Sequence, residues 1–130
     1  MISAPFRPGD RILYLPEPWR GAWTVTGCEL HAGGGWRVSA RAGGAALQDE
    51  ARHYARAPEG WEDPPSRPAY RGLLALADYG RWGERMSRDA EYQAALRRWA
   101  SAYAAWAERC LPLVGDYAEH VAGARRMAAR

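Results

Sequence analysis

The amino-acid sequence predicts an α+β protein, a small antiparallel β-barrel followed by a three-helix α-helical region, and two periodicities carry that expectation. Apolar residues recur at alternate positions from residue 6 to about 57, between Gly- and Pro-rich turns, then at every third or fourth position from about 67 to 130. A Pro-rich, acidic stretch, "APEGWEDPPSRPAY", separates the two patterns. The expected organisation is a barrel over residues 1–57, a linker over 58–66 and a helical bundle over 67–130. A chain of 130 residues buries about two thirds of its unfolded surface, enough for one good core or two marginal ones.

In the first half, "RILYL" offers Ile12 and Tyr14 to one face and Leu13 and Leu15 to the other. "AWTVTG" sets Trp23 and Val25 against Thr24 and Thr26, and "GGGWRVSAR" sets Trp36, Val38 and Ala40 against Arg37, Ser39 and Arg41. Trp23 and Trp36 are therefore both expected in the core. The intervening "CELHAGGG" has the glycines a hairpin turn needs. They lead into a strand rather than a helix, which removes a phosphate cradle from consideration. "AALQDEARHYARAP" reads as a strand, a tight turn and a last pairing segment.

"FRPGDRILYLPEPWRGAWTVTG", the "GGGWRVSAR" hairpin and the closing "ARHYARAP" together resemble a small SH3-like barrel of the bacterial Tudor or KOW-like type, over residues 6–57. The resemblance implies a fold and carries no functional residue across. CarD-like transcription-associated proteins also join such a barrel to a helical domain, but residues 66–130 do not match their helical part.

Trp61 in the connector is an expected anchor onto a neighbouring surface. A first helix is expected from about residue 67 to 79, with Pro68 in its first turn and Gly80 and Gly83 as a stop. A second begins after Ser87, with Asp89 as an early acid, and is ended or kinked by Pro112. A third begins near Asp116, which has capping-box spacing to Glu119. Along the second, Tyr92, Leu96, Trp99, Tyr103, Trp106 and Cys110 form a seam spaced four, three, four, three, four, with Ala100, Ala104 and Ala107 beside it. The neighbouring helices are one cover for this seam. A second copy of the chain, as a homodimer through Tyr92, Leu96, Trp99, Tyr103 and Trp106, is the other.

Composition excludes more than it names. All eighteen basic side chains are arginine, so neither a Schiff-base lysine nor a phosphate-loop lysine is available. The net charge of +3 comes from seven arginines against five acids in residues 1–57 and eleven against ten beyond, an intermixed distribution that does not mark a strong nucleic-acid footprint. Two isolated cysteines, Cys28 and Cys110, fit a reducing cytoplasm. "MISAPFRPGD" is not built like a secretory leader and no run is long enough to span a bilayer, so a cytoplasmic protein without membrane contact is expected. Cys28 with His31 is half of a metal site at best, because Cys110 and His120 are poorly spaced to complete it. No metal or cofactor is expected.

Trp19, between Pro18 and Arg20 in a turn, is the indole expected at the surface. With Arg20 it is the candidate site for a protein partner, because aromatic and guanidinium groups dominate binding hot spots. The leading expectation is a non-catalytic interaction or adaptor protein. The alternative is a nucleic-acid-binding accessory factor using Arg37, Arg41, Arg125, Arg126 and Arg130. A small hydrolase using Cys28 or scattered acids ranks third, for want of any assembled catalytic motif.

Overall fold

The structure, a computed structural model, describes residues 3–70 and 87–130. The chain divides into two compact units, one of Met1–Asp63 with Cys110–Asp116, the other of Pro64–Arg109 with Tyr117–Arg130.

The first unit is built on strands β1 (Arg11–Tyr14), β2 (Ala22–Leu30), β3 (Trp36–Ala42), β4 (Ala45–Glu50) and β5 (Tyr54–Arg56). They pair antiparallel in the order β4-β3-β2-β1-β5. No rung joins the edge strands β4 and β5 among the described residues, so what is observed is a five-stranded antiparallel sheet. Single-turn 3-10 helices at Pro18–Arg20 and Ala51–His53 connect β1 to β2 and β4 to β5.

Alternation places the core. Ile12, Trp23, Val25, Val38, Ala40 and Tyr54 pack with Phe6, and Tyr14, Cys28 and Leu47 border them. Leu13 faces the other way, yet it too is fully buried. The returning segment Cys110–Asp116 belongs to this unit, and its Leu111 is equally inaccessible. The sheet is thus wetted less on its second face than simple alternation implies.

One irregularity changes the reading of β2. Val25 is opposite Ala40 but Gly27 is opposite Ser39, so Thr26 is an extra, bulged residue. Beyond the bulge the parity flips, and Cys28, opposite Val38, turns toward the core with the valine. The strand also runs on to Leu30, which confines the hairpin turn to residues 31–35, where Gly34 has φ +84°.

The turn at Gly21 needs its glycine most clearly. With φ 85° and ψ −175° it lies in a region closed to side chains with a Cβ, and it lets the chain leave the 3-10 turn directly into β2. The 58–63 segment is pinned to the same corner. Asp63 accepts from the Ala22 N–H at 2.9 Å and from the Trp61 indole at 3.2 Å, and pairs with Arg11 at 3.1 Å.

In the second unit the described residues include the helices α1 (Ala90–Cys110) and α2 (Ala118–Ala128). Of the expected first helix, residues 67–70 are not helical and positions 71–79 lie outside the described residues. Proline supplies the reason: Pro65 and Pro68 lack donors, and each pushes the residue before it into extended geometry. Helix α1 is capped by Asp89 rather than Ser87, the Asp89 carboxylate accepting from the Tyr92 N–H at 3.0 Å. It ends at Cys110, where Pro112 shapes a 3-10 turn over Leu111–Leu113. The start of α2 falls two residues after Asp116, with Tyr117 at the capping position.

Candidate functional site

The most organised polar cluster centres on Asp49, near the end of β4. The Tyr14 hydroxyl donates to its carboxylate at 2.6 Å, although β2 and β3 lie between β1 and β4 in the sheet. The Glu50 N–H donates to the other oxygen at 2.7 Å. His53 Nδ1 approaches that oxygen at 2.9 Å, off the line a hydrogen bond needs. Tyr14 also stacks at a tilt on Tyr54, its partner across β1 and β5, with ring centres 5.4 Å apart.

Burial by itself would raise the Asp49 carboxyl, but the Tyr14 hydroxyl, the Glu50 N–H and His53 outweigh it and hold the group at about 2. Burial pushes the Tyr54 hydroxyl up to about 12, helped by the Asp49 and Tyr14 charges and opposed by Arg20 and Arg37. The Asp49 hydrogen bond, followed by burial, raises Tyr14 as well. This cluster therefore exchanges no proton near neutral pH through its acid or its phenols. Asp49 is therefore charged at neutral pH, and its hydrogen bonds organise the corner.

A pH prediction follows with a definite sign. Because folding lowers the Asp49 pKa, its stabilisation is complete above the ordinary value of 3.8 and is lost as pH falls through about 2. Asp49→Asn is expected to cost about 1–2 kcal/mol at pH 7 and to flatten the acid limb, compared by urea unfolding at pH 7 and pH 2.5. An acid limb as steep in the variant as in the parent would assign the effect elsewhere.

Three tryptophans of this unit, Trp19, Trp23 and Trp36, occupy different surroundings. Trp23 is 2% exposed, its indole N–H has no hydrogen-bond partner, and the Arg20 guanidinium carbon lies 4.8 Å from its ring centre. Trp19 is half-buried in the 3-10 turn, next to buried Pro18 and exposed Arg20. Trp36, expected in the core, is also only half-buried. It pairs with Leu30 on the last rung of the β2–β3 hairpin, where Leu30 is itself 47% exposed. The inward face continues to this rung, but the core does not. Trp36 instead lines an open cavity of about 420 Å³ with His31, Arg37, Glu50, Ala51 and Arg52. Its place directly after the glycine turn is the signal that could have marked it as a rim residue.

Among the arginines, Arg37 and Arg41 share one face of β3, as alternation requires. Arg37 stands between two acids, opposite Glu29 on β2 and Glu50 on β4. Arg41 stands between Thr24 and Ala46 and has no ion-pair partner among the described residues. Arg52 pairs with Glu50 at 2.6 Å. In the helical unit Arg125 is bonded to Glu108, whereas Arg126 and Arg130 have no ion-pair partner among the described residues.

The helical unit has its own aromatic group. Tyr103 lies between Trp99 and Trp106, with ring centres 5.2 and 5.3 Å apart, and its hydroxyl is 2.8 Å from His120 Nε2 on α2. Burial lowers the His120 pKa from its ordinary 6.5. Folding therefore favours the neutral ring, so this stabilisation is present above pH 6.5 and declines as pH falls below it. Thermal unfolding followed by circular dichroism should show a loss of stability in the parent from pH 7.5 to pH 5.5. His120→Gln, which cannot titrate there, should lack that loss.

Cys28 and Cys110 are both free thiols. Among the described residues, no three His, Cys, Asp or Glu side chains converge as a metal site, and no helix is long and apolar enough to cross a membrane. Comparison with protein-family models, with curated proteins and with solved structures finds no match to this chain.

Proposed function

We propose that residues 6–57 form a small SH3-like barrel of the Tudor or KOW-like type, and that it is a non-catalytic interaction module binding a segment of a protein partner. The barrel reading is supported by the strand order, by the 3-10 turn before the last strand, and by the Tyr14–Asp49 hydrogen bond that links non-neighbouring strands. The free thiols Cys28 and Cys110 fit a cytoplasmic setting.

The observation that carries the binding reading is the cavity at the rim of the sheet, where the half-buried Trp36 ring meets Arg37, Arg52 and His31. Arg20 and Arg37 both act on the Tyr54 hydroxyl. The strip we propose joins the turn bearing Trp19 and Arg20 to the cavity of Trp36. A ligand suited to this strip has an apolar side chain for the cavity and a carboxylate for Arg20 or Arg37. The Asp49 carboxylate, held by the Tyr14 hydroxyl and the Glu50 N–H, is committed to the fold and does not favour a hydrolytic reading.

The test is a library of acidic-aromatic peptides displayed against the full chain, with hits titrated by calorimetry. Trp36→Ala and Arg20→Ala should each weaken a hit about tenfold or more, and Trp19→Ala should weaken it if that ring joins the contact. Hits that bind both variants as tightly as the parent would remove the strip as the site.

A nucleic-acid-binding accessory role is the second reading, and Arg41, Arg126 and Arg130 favour it because none of them has an ion-pair partner among the described residues. Glu29 and Glu50 beside Arg37, and Glu108 on Arg125, count against it. It requires retention on single- or double-stranded DNA or RNA that falls steeply with salt. No retention at low salt would remove it.

A further inference from the structure

The Tyr92 and Trp99 part of the aromatic face of α1 is met within the helical unit by residues 64–68, Pro-Pro-Ser-Arg-Pro, and the manner of contact is specific. The Trp99 indole N–H donates to the Pro65 carbonyl at 2.9 Å, and the Tyr92 hydroxyl donates to the Pro68 carbonyl at 3.2 Å. The Arg67 guanidinium, between those prolines, lies 5.5 Å from the Trp99 ring centre. Tyr70 then meets Tyr92 edge-on, with ring centres 5.0 Å apart.

These spacings match. Three prolines in five residues favour extended, polyproline-like geometry, for which an i, i+3 step advances about 9 Å and returns the carbonyls to the same side. Tyr92 and Trp99 are seven residues apart on one face of a helix, an advance of about 10 Å. A two-turn helical ruler therefore reads a one-turn polyproline ruler, running antiparallel, with one donor for each carbonyl. An aromatic surface that donates to proline-segment carbonyls and stacks on an arginine is the chemistry by which proline-rich peptides are recognised.

We propose that this face of α1 is a binding groove for proline-rich peptides of the pattern Pro-Pro-x-Arg-Pro, held in cis by residues 64–68, and that a partner's peptide of that pattern enters it by displacing them. The groove already has an opening at its Tyr92 end, a cavity of about 360 Å³ lined by Pro68, Tyr70, Asp89, Tyr92 and Arg98 among others. Nothing in the proposed binding strip of the sheet unit enters this proposal, so either can fail without the other.

The test uses the full chain labelled with 15N in its indoles, titrated with the synthetic peptide PPSRPAY, which repeats residues 64–70. Trp99→Phe identifies the Trp99 resonance and removes the donor. In the parent the tethered segment competes at an effective concentration on the order of millimolar, so the Trp99 signal should shift only at millimolar peptide. In the double variant Pro65→Gly, Pro68→Gly, which loses the preset extended geometry, the same shift should need at least tenfold less peptide. The peptide GGSGGAY should shift neither. If the glycine variant does not fold, the parent's own response at several millimolar decides the matter. No Trp99 shift there, or an equal shift with the glycine peptide, overturns the proposal. So does a Trp99 shift that follows protein concentration without peptide, since that would assign the groove to exchange between copies of this chain.

Discussion

Replacing Trp23 with alanine is expected to cost about 3–5 kcal/mol, while the same change at Trp36, thirteen positions on, is expected to cost on the order of 1 kcal/mol. Both indoles sit on the inward face of adjoining strands, and both look alike in the alternation. They differ in what lies above them. Trp23 is 2% exposed, packed among Ile12, Val25 and Tyr54 and roofed by the Arg20 guanidinium, so its removal leaves a cavity the sheet cannot collapse into. Trp36 ends its strand at an open rim, where water fills the vacated space. Urea unfolding monitored by far-ultraviolet circular dichroism measures both costs. Equal costs would mean that the rim indole is structural and not available to a ligand.

The companion substitution Trp23→Phe refines the point. The Trp23 indole N–H is buried without a partner, a condition that costs about 1–3 kcal/mol. Phenylalanine loses ring volume but also removes that penalty, so its cost should fall well below the alanine value.

Why Trp23 is legible and Trp36 is not has a physical basis. Period-two alternation reports which way a side chain points, and it does so correctly for Ile12, Val25, Val38 and Ala40. It does not report how far along a strand the core extends, which depends on what packs above each rung. The bulge at Thr26 is hidden for a related reason: one extra residue flips the parity, and only the pairing partner Ser39 reveals it. The first three strands are legible because local turn chemistry and alternation agree there, and β4, a tight turn and β5 can be read from the less regular run that follows, though not that the turn is a 3-10 helix. The first helix is misplaced at residues 67–70 because Pro65, Pro68 and the donors of Trp99 and Tyr92 favour an extended chain, and those donors lie more than twenty positions away.

The site shows the same division between local and long-range information. The arginine-aromatic composition of the Pro18–Arg20 turn can be read directly. The Asp49 cluster cannot, because Tyr14 and Asp49 are separated by 35 positions and two intervening strands. Asp49 and Glu50 next to a turn look like ordinary solvated acids until the folded chain places a hydroxyl and an imidazole on the first of them. The aromatic seam of α1 is visible as a periodicity, but its cover is not. Residues 64–68 already occupy the hydrogen-bonding groups of Tyr92 and Trp99, which leaves less of the seam for a second copy of the chain.

The second large effect is expected at Leu111, and it tests the least intuitive feature of the organisation. Leu111 follows α1 directly, so sequence position suggests that it serves the helices. It is fully buried, however, in a segment that belongs with the sheet. Leu111→Ala should therefore cost about 2–5 kcal/mol, and the loss should appear in the sheet. Native-state hydrogen exchange separates the alternatives, since amides report the stability of their own cooperative unit. The Ile12, Val25 and Val38 amides should exchange about thirtyfold faster or more, the change expected for 2 kcal/mol or greater, while amides in the middle of α1 near Ala100 change less. Acceleration confined to α1 would return residues 110–116 to the helices. Acceleration in the sheet would mean that its second face is closed by residues contributed from the far end of the chain, so that the sheet's stability depends on a segment about fifty positions beyond its last strand.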